Sequence, residues 1–216
     1  MIESWTPRSR SPRCESDQLH RTYGLACRVV GGQTDRVELR PFTADQEADL
    51  QQLLESDPGY TERVTGYPPM PSDALSLTVV RPEGFDPEAK YVLCGWRPGW
   101  GGRDELASVV DVLRGYPDPG CAFVGLLLVR FELQGTGLGR ETWQAVERLT
   151  ADWPEINRFR LAVVETNART AMPFWQAMGF RETGERQPHQ VLEEPTAAIL
   201  MEKAIGSRTG AGPDTV

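Results

Sequence analysis

The chain is poor in lysine, histidine and paired cysteine, and each shortage removes a class of function. Lys90 and Lys203 are its only lysines, so nearly all of its basic charge is arginine. His20 and His189 are the only histidines, and Cys14, Cys27, Cys94 and Cys121 form no CxxC pair. No metal is expected, because histidine ligands are too few and the cysteine spacing predicts neither a zinc site nor a disulfide framework. Cys94 and Cys121 lie in apolar, strand-like runs and read as small buried hydrophobes. No apolar run approaches the ~20 residues of a membrane span. The first residues lack a secretory apolar core, and Glu3, Glu15 and Asp17 argue against a transit segment. A cytoplasmic location with no membrane partner is the expectation.

What is present suits one domain with extensions: 216 residues of ordinary apolar and charged content. The net charge is −8, unevenly spread. Residues 1–36 hold six arginines against four acids, which leaves 17 basic and 27 acidic residues in the remainder, net −10. An acidic body disfavours nucleic acid and favours cationic substrates such as amines. Residues 1–36 lack sustained periodicity and read as a disordered or loosely ordered extension. Residues 206–216 read as a flexible tail, which leaves 37–205 as the folded domain.

Strands are expected at 36–42, 91–96, 105–116, 121–129 and 159–164, with a closing pair at 180–187 and 196–204. A helix capped by Thr43 should carry Leu50, Leu53 and Leu54 on one face. Residues 57–74 predict a short helix plus a loop, and 75–89 give no clear pattern. The turn signature at 117–120 folds 105–116 back on 121–129 as a hairpin. That last run is apolar on both faces and reads as a central, doubly covered strand. A helix begins at Leu138 and shows Thr142, Val146 and Leu149 on the same stripe; another spans 168–178. Strand–helix–strand order around residue 138 requires a parallel pair, the fourth and fifth strands, in a sheet otherwise built from hairpins.

Between that fourth strand and its helix lies "QGTGLG", residues 134–139. A Walker loop is excluded, because Gly139 is followed by Arg140 and Glu141 rather than Lys and Ser or Thr. A dinucleotide fingerprint fits poorly: Arg140 occupies the place of its last glycine, and Val129 lies too far from Gly135. What remains is a loop whose bare glycines turn successive N–H groups toward one anion, ahead of a helix N-terminus. A pyrophosphate suits that concavity.

The loop resembles the Q/R-x-x-G-x-G/A loop of the GNAT superfamily of acetyltransferases. A second stretch, "VVETNARTAMPFWQAMGF" (163–180), is similar to that family in Asn167, Phe174, Gly179 and Phe180. The resemblance covers about residues 37–205. It implies an α/β (α+β) fold with a mixed, mostly antiparallel central sheet and helices on both faces. It also implies acetyl-CoA (coenzyme A) as co-substrate and direct acetyl transfer to a primary amine of a small molecule or peptide. Gln134, Gly135, Thr136, Gly137, Leu138, Gly139 and Arg140 would then hold the pyrophosphate. The backbone of Leu127, Leu128 and Val129 would pair with the pantetheine arm, and Leu128 would offer an N–H to the thioester oxygen. Asn167, Phe174 and Trp175 would lie beside the arm; Asn167 reads equally as a helix cap, and Phe174 and Trp175 as core. Many relatives are dimers, so a homodimer is implied too.

Two departures bear on the chemistry. The spacing from Asn167 to the aromatic pair is one residue longer than usual, and Trp175 stands where many members carry a tyrosine proposed to protonate the departing thiolate. An indole N–H donates a hydrogen bond but gives up no proton near neutrality. Candidate general bases are Asp111, which breaks an apolar strand, and Glu165, which ends one, ahead of Glu132. Tyr60, Tyr67, Trp96 and Trp100 are candidates for an amine pocket. Two rival readings stay open: a coenzyme A-binding sensor of the same fold without catalysis, and a nucleotide-dependent oxidoreductase.

Overall fold

The structure, a computed structural model, describes residues 37–99 and 102–206. The 1–36 extension, with Cys14, His20 and Cys27, lies outside the described residues, as do Trp100 and the tail beyond Gly206. Seven strands form one sheet: β1 Glu38–Pro41, β2 Lys90–Pro98, β3 Asp104–Arg114, β4 Cys121–Val129, β5 Arg158–Val164, β6 Arg181–Val191 and β7 Glu194–Ala204. Their order is β1-β2-β3-β4-β5-β7-β6. Every neighbouring pair is antiparallel except β4 and β5, which run parallel. The parallel pair follows from the chain's path, because β4 reaches β5 only through a helical crossover.

Five helices occur among the described residues: α1 Glu47–Glu55, α2 Pro58–Thr65, α3 Asp73–Val79, α4 Leu138–Thr150 and α5 Ala168–Ala177. They divide between the two faces of the sheet. Leu50, Leu53 and Leu54 of α1 and Ala74 of α3 pack with Cys94, Val109 and Leu128 on one side. Trp143 and Val146 of α4 and Trp175 near the end of α5 pack with Val110, Val124 and Leu161 on the other. β4 is covered on both faces, as its unbroken apolar run requires. Where α4 crosses β3, the buried hydroxyls of Ser108 and Thr142 satisfy each other at 2.9 Å.

Thr43 caps a 3-10 turn, Ala44–Gln46, that precedes α1, and its N–H donates to the Gln46 side chain at 3.2 Å. The segment without a clear sequence pattern contributes most of α3. Ala74 and Leu77 turn inward while Leu75, Val79 and the following Val80 stay exposed, so apolar residues surround the helix and no stripe marks its face. Among the described residues no helix is long and apolar enough to cross a membrane.

Candidate functional site

The sheet divides at its centre. β4 and β5 pair from Cys121 opposite Arg158 to Val124 opposite Leu161, and the pairing stops there although both strands continue. A bulge accompanies the separation. Asp111 stands opposite Leu126 and Val112 opposite Val124, so Gly125 is an extra residue in β4. Such an insertion bends a strand away from its regular path. Gly125 and Ala162 are exposed although both lie in central strands. Beyond them the facing edges of β4 and β5 carry backbone groups that no strand satisfies, which fits an extended chain bearing amides.

The glycine loop lies past the far end of β4. Gly135 and Gly137 have φ of 74° and 93°, left-handed values that explain glycine at both places. A Cβ at Gly135 would meet no atom within 4 Å, so the loop's surface there is open. Gly137 is the N-cap of α4, and the first intrahelical bond is Glu141 N–H to the Gly137 carbonyl at 3.2 Å. Leu138, Gly139 and Arg140 therefore have no intrahelical acceptor, and their amides project from the positive end of a 13-residue helix. Gly139 has a different reason to be bare: a Cβ there would stand 3.2 Å from the Phe174 ring.

Gln134 departs from its expected role. Its side-chain amide donates to Asp57 Oδ2 at 2.9 Å and to the Val129 carbonyl at 3.1 Å, and its own N–H is taken by Phe131. It ties the loop to the end of β4 and to α2, and its side-chain amide donors are occupied there. The Val129 carbonyl is correspondingly occupied. Trp175, expected beside the cofactor, is 8% exposed and packs edge-on against Trp143, Phe174 and Phe180. Core packing accounts for that indole. Phe174 is half-buried, between this cluster and Gly139.

Asn167 ends the 3-10 turn Glu165–Asn167 that follows β5, and it is 7% exposed. It occupies the N-cap position of α5, but its side chain makes no capping bond. Instead its Oδ1 accepts from Arg63 Nε of α2 at 2.8 Å. Arg63 and Asp57 carry no motif in the sequence; only the fold brings α2 to these partners.

Of the candidate bases, Asp111 lies at the division. A Cβ on Gly125 would fall 2.7 Å from Asp111 Oδ2, so the carboxylate covers the bulge. Both its oxygens accept from Lys90 Nζ, at 2.7 and 2.8 Å, in an ion pair almost closed to solvent. Burial pushes the Asp111 carboxyl up, and the Lys90 charge and hydrogen bonds oppose it. Lys90, one of two lysines in the chain, has no sequence signature for this role. Glu165 is exposed just past β5, with Arg186 at 3.9 Å, and Glu132 is exposed on the turn before the glycines. Tyr60 and Trp96 both pack against the α1 side of the core, and Tyr67 is exposed.

A split mixed sheet, with a glycine-opened helix end at the mouth of the split, defines the class as an acetyltransferase-type α/β fold. Residues 103–193 match the acetyltransferase (GNAT) domain family. The matched segment and the architecture together give the chain a GNAT-type fold. Its fold is similar to an acetyltransferase from Thermus thermophilus, at 24% identity over 78% of this chain and 97% of that one, TM-score 0.58. It is also similar to a Salmonella typhimurium acetyltransferase that modifies the N-terminal serine of a 50S ribosomal subunit protein, at 15% identity over 80% and 96%, TM-score 0.61. A third likeness is to spermidine N-acetyltransferase from Vibrio cholerae, solved with CoA and spermine, at 14% identity over 79% and 96%, TM-score 0.59. No curated protein matches the chain.

Proposed function

We propose that the protein transfers an acetyl group from acetyl-CoA to a primary amine by direct attack in a ternary complex. The observation that carries this reading is the end of β4–β5 pairing at Val124 and Leu161, with the open glycine loop beyond it. The division offers backbone edges to a pantetheine arm, and the amides of residues 138–140 suit its pyrophosphate. Bound acetyl-CoA supplies an activated acyl carbon and a thiolate leaving group. The protein's part is to orient, to polarise and to remove a proton. Arg130 N–H donates to the Ala107 carbonyl, so by strand alternation Leu128, opposite Val109, turns its N–H to β3, and the N–H we assign to the thioester oxygen is that of Leu127.

Asp111 is the better placed base. It stands over the bulge where β4 leaves β5, whereas Glu165 lies at the exposed end of β5. A carboxylate raised by burial is also the stronger proton acceptor. The acceptor class, a cationic amine, is supported by the acidic body of the chain and by the spermidine-acetylating neighbour.

Thiol release from acetyl-CoA with a panel of polyamines, amino acids and peptide N-termini tests the reaction. Asp111→Asn should lower kcat by about 10²-fold while coenzyme A affinity holds, and Glu165→Gln should change it little. Normal turnover by both variants removes both from the role of base. Silence with every amine, despite tight coenzyme A binding, points instead to the sensor reading.

A further inference from the structure

Helix α2 is fastened to both banks of the divided sheet. At its start Asp57 takes the Gln134 amide of the β4 side, and the neighbouring Ser56 hydroxyl accepts from Phe131 N–H at 3.1 Å. At its end Arg63 reaches Asn167 of the β5 side, and the Thr166 hydroxyl donates to the Arg63 carbonyl. His189 Nε2 and Leu192 N–H bond the Val64 and Thr65 carbonyls at 3.0 and 3.2 Å. No residue of α2 is fully buried, so these bonds, more than a packed face, hold it across the opening.

The Arg63–Asn167 bond also determines which way the Asn167 amide points. Guanidinium has donors and no acceptor, so only the amide oxygen can meet Arg63 Nε at 2.8 Å. The amide nitrogen is therefore turned elsewhere. It has no hydrogen-bond partner among the described residues, on a side chain that is 7% exposed, yet it is not among the atoms sealed from solvent. Held this way, and still in contact with solvent, the Nδ2 donor is free for an acceptor that arrives with a ligand.

We infer that Arg63 is a positioning residue: by holding Asn167 Oδ1 it aims Nδ2 into the division between β4 and β5, where it donates to a carbonyl of the pantetheine arm. This rests on the acetyl-CoA reading above. Arg63 itself contacts no cofactor, and its effect is confined to the arm. The nucleotide half of the cofactor would be held by the glycine loop and be indifferent to it.

Calorimetric titration of the full chain with two probes separates these contributions: coenzyme A, and adenosine bisphosphate, which lacks the pantetheine arm. Arg63→Met should weaken coenzyme A by about fivefold and leave adenosine bisphosphate unchanged, the loss of one well-placed hydrogen bond. Asn167→Asp keeps a partner for Arg63 but removes the donor, and should show the same selective loss; it carries the test if Arg63→Met folds poorly. Arg63→Lys, which retains a donor, should recover part of the affinity. Unchanged coenzyme A binding in both Arg63→Met and Asn167→Asp overturns the inference, as does a parallel loss of both probes. Failure of the wild type to bind either probe removes the cofactor reading itself, before Arg63 is compared.

Discussion

Asp111 shows how much a single residue's chemistry depends on a neighbour distant in sequence. Its interruption of an apolar strand is visible in the chain, but its partner Lys90 lies 21 positions away and is supplied by the β2–β3 register. An ion pair this buried is costly to break on one side, by about 3–5 kcal/mol. The cost should depend on pH. A carboxyl whose pKa is raised on folding contributes stability that is complete below its unfolded pKa and is lost as pH climbs through the folded value. Lys90→Met removes the opposing cation and raises the Asp111 carboxyl further. Urea unfolding should therefore show a deficit against wild type that grows as pH climbs through and above the raised wild-type value of the Asp111 carboxyl; a deficit independent of pH contradicts this account. Trp175 gives a second test. Because the indole belongs to the core, Trp175→Phe should keep turnover within about twofold while Trp175→Ala loses about 3–5 kcal/mol of stability. Turnover that collapses in Trp175→Phe would show a role in the reaction.

Among the elements, β4, α4 and α5 were legible because their physics is local. An apolar run, a left-handed glycine before a helix and a four-residue stripe each act over a few positions. The bulge at Gly125 was not, since it exists only in the register with β3. Nor was the bridging role of α2, whose decisive bond joins residues 104 positions apart. α3 escaped because apolar side chains lie around it rather than along one face. For α2 the expected outcome is a joint effect. Asp57→Ala removes both the cap on Tyr60 N–H, at 3.0 Å, and the tie to Gln134. It should lower stability by about 1–2 kcal/mol and weaken coenzyme A binding together, measured by denaturation and titration. A stability loss with unaltered cofactor affinity would mean that the tie does not shape the loop.

Across the described residues the fold is one sheet whose central strands β4 and β5 part beyond Val124 and Leu161, with helices covering both faces. The mixed topology was readable from element order, because one helical crossover forces one parallel pair. The position of the opening was not, since it depends on where two strands stop pairing rather than on what they are made of. That opening and the glycine loop are the central claim, and ligand-dependent thermal unfolding tests it most directly. Acetyl-CoA at about 100 times its Kd should stabilise the fold by about 2.7 kcal/mol, raising Tm by about 5–10 °C for a chain of this size, while NADPH leaves Tm unchanged. A rise with NADPH and none with acetyl-CoA would contradict the account.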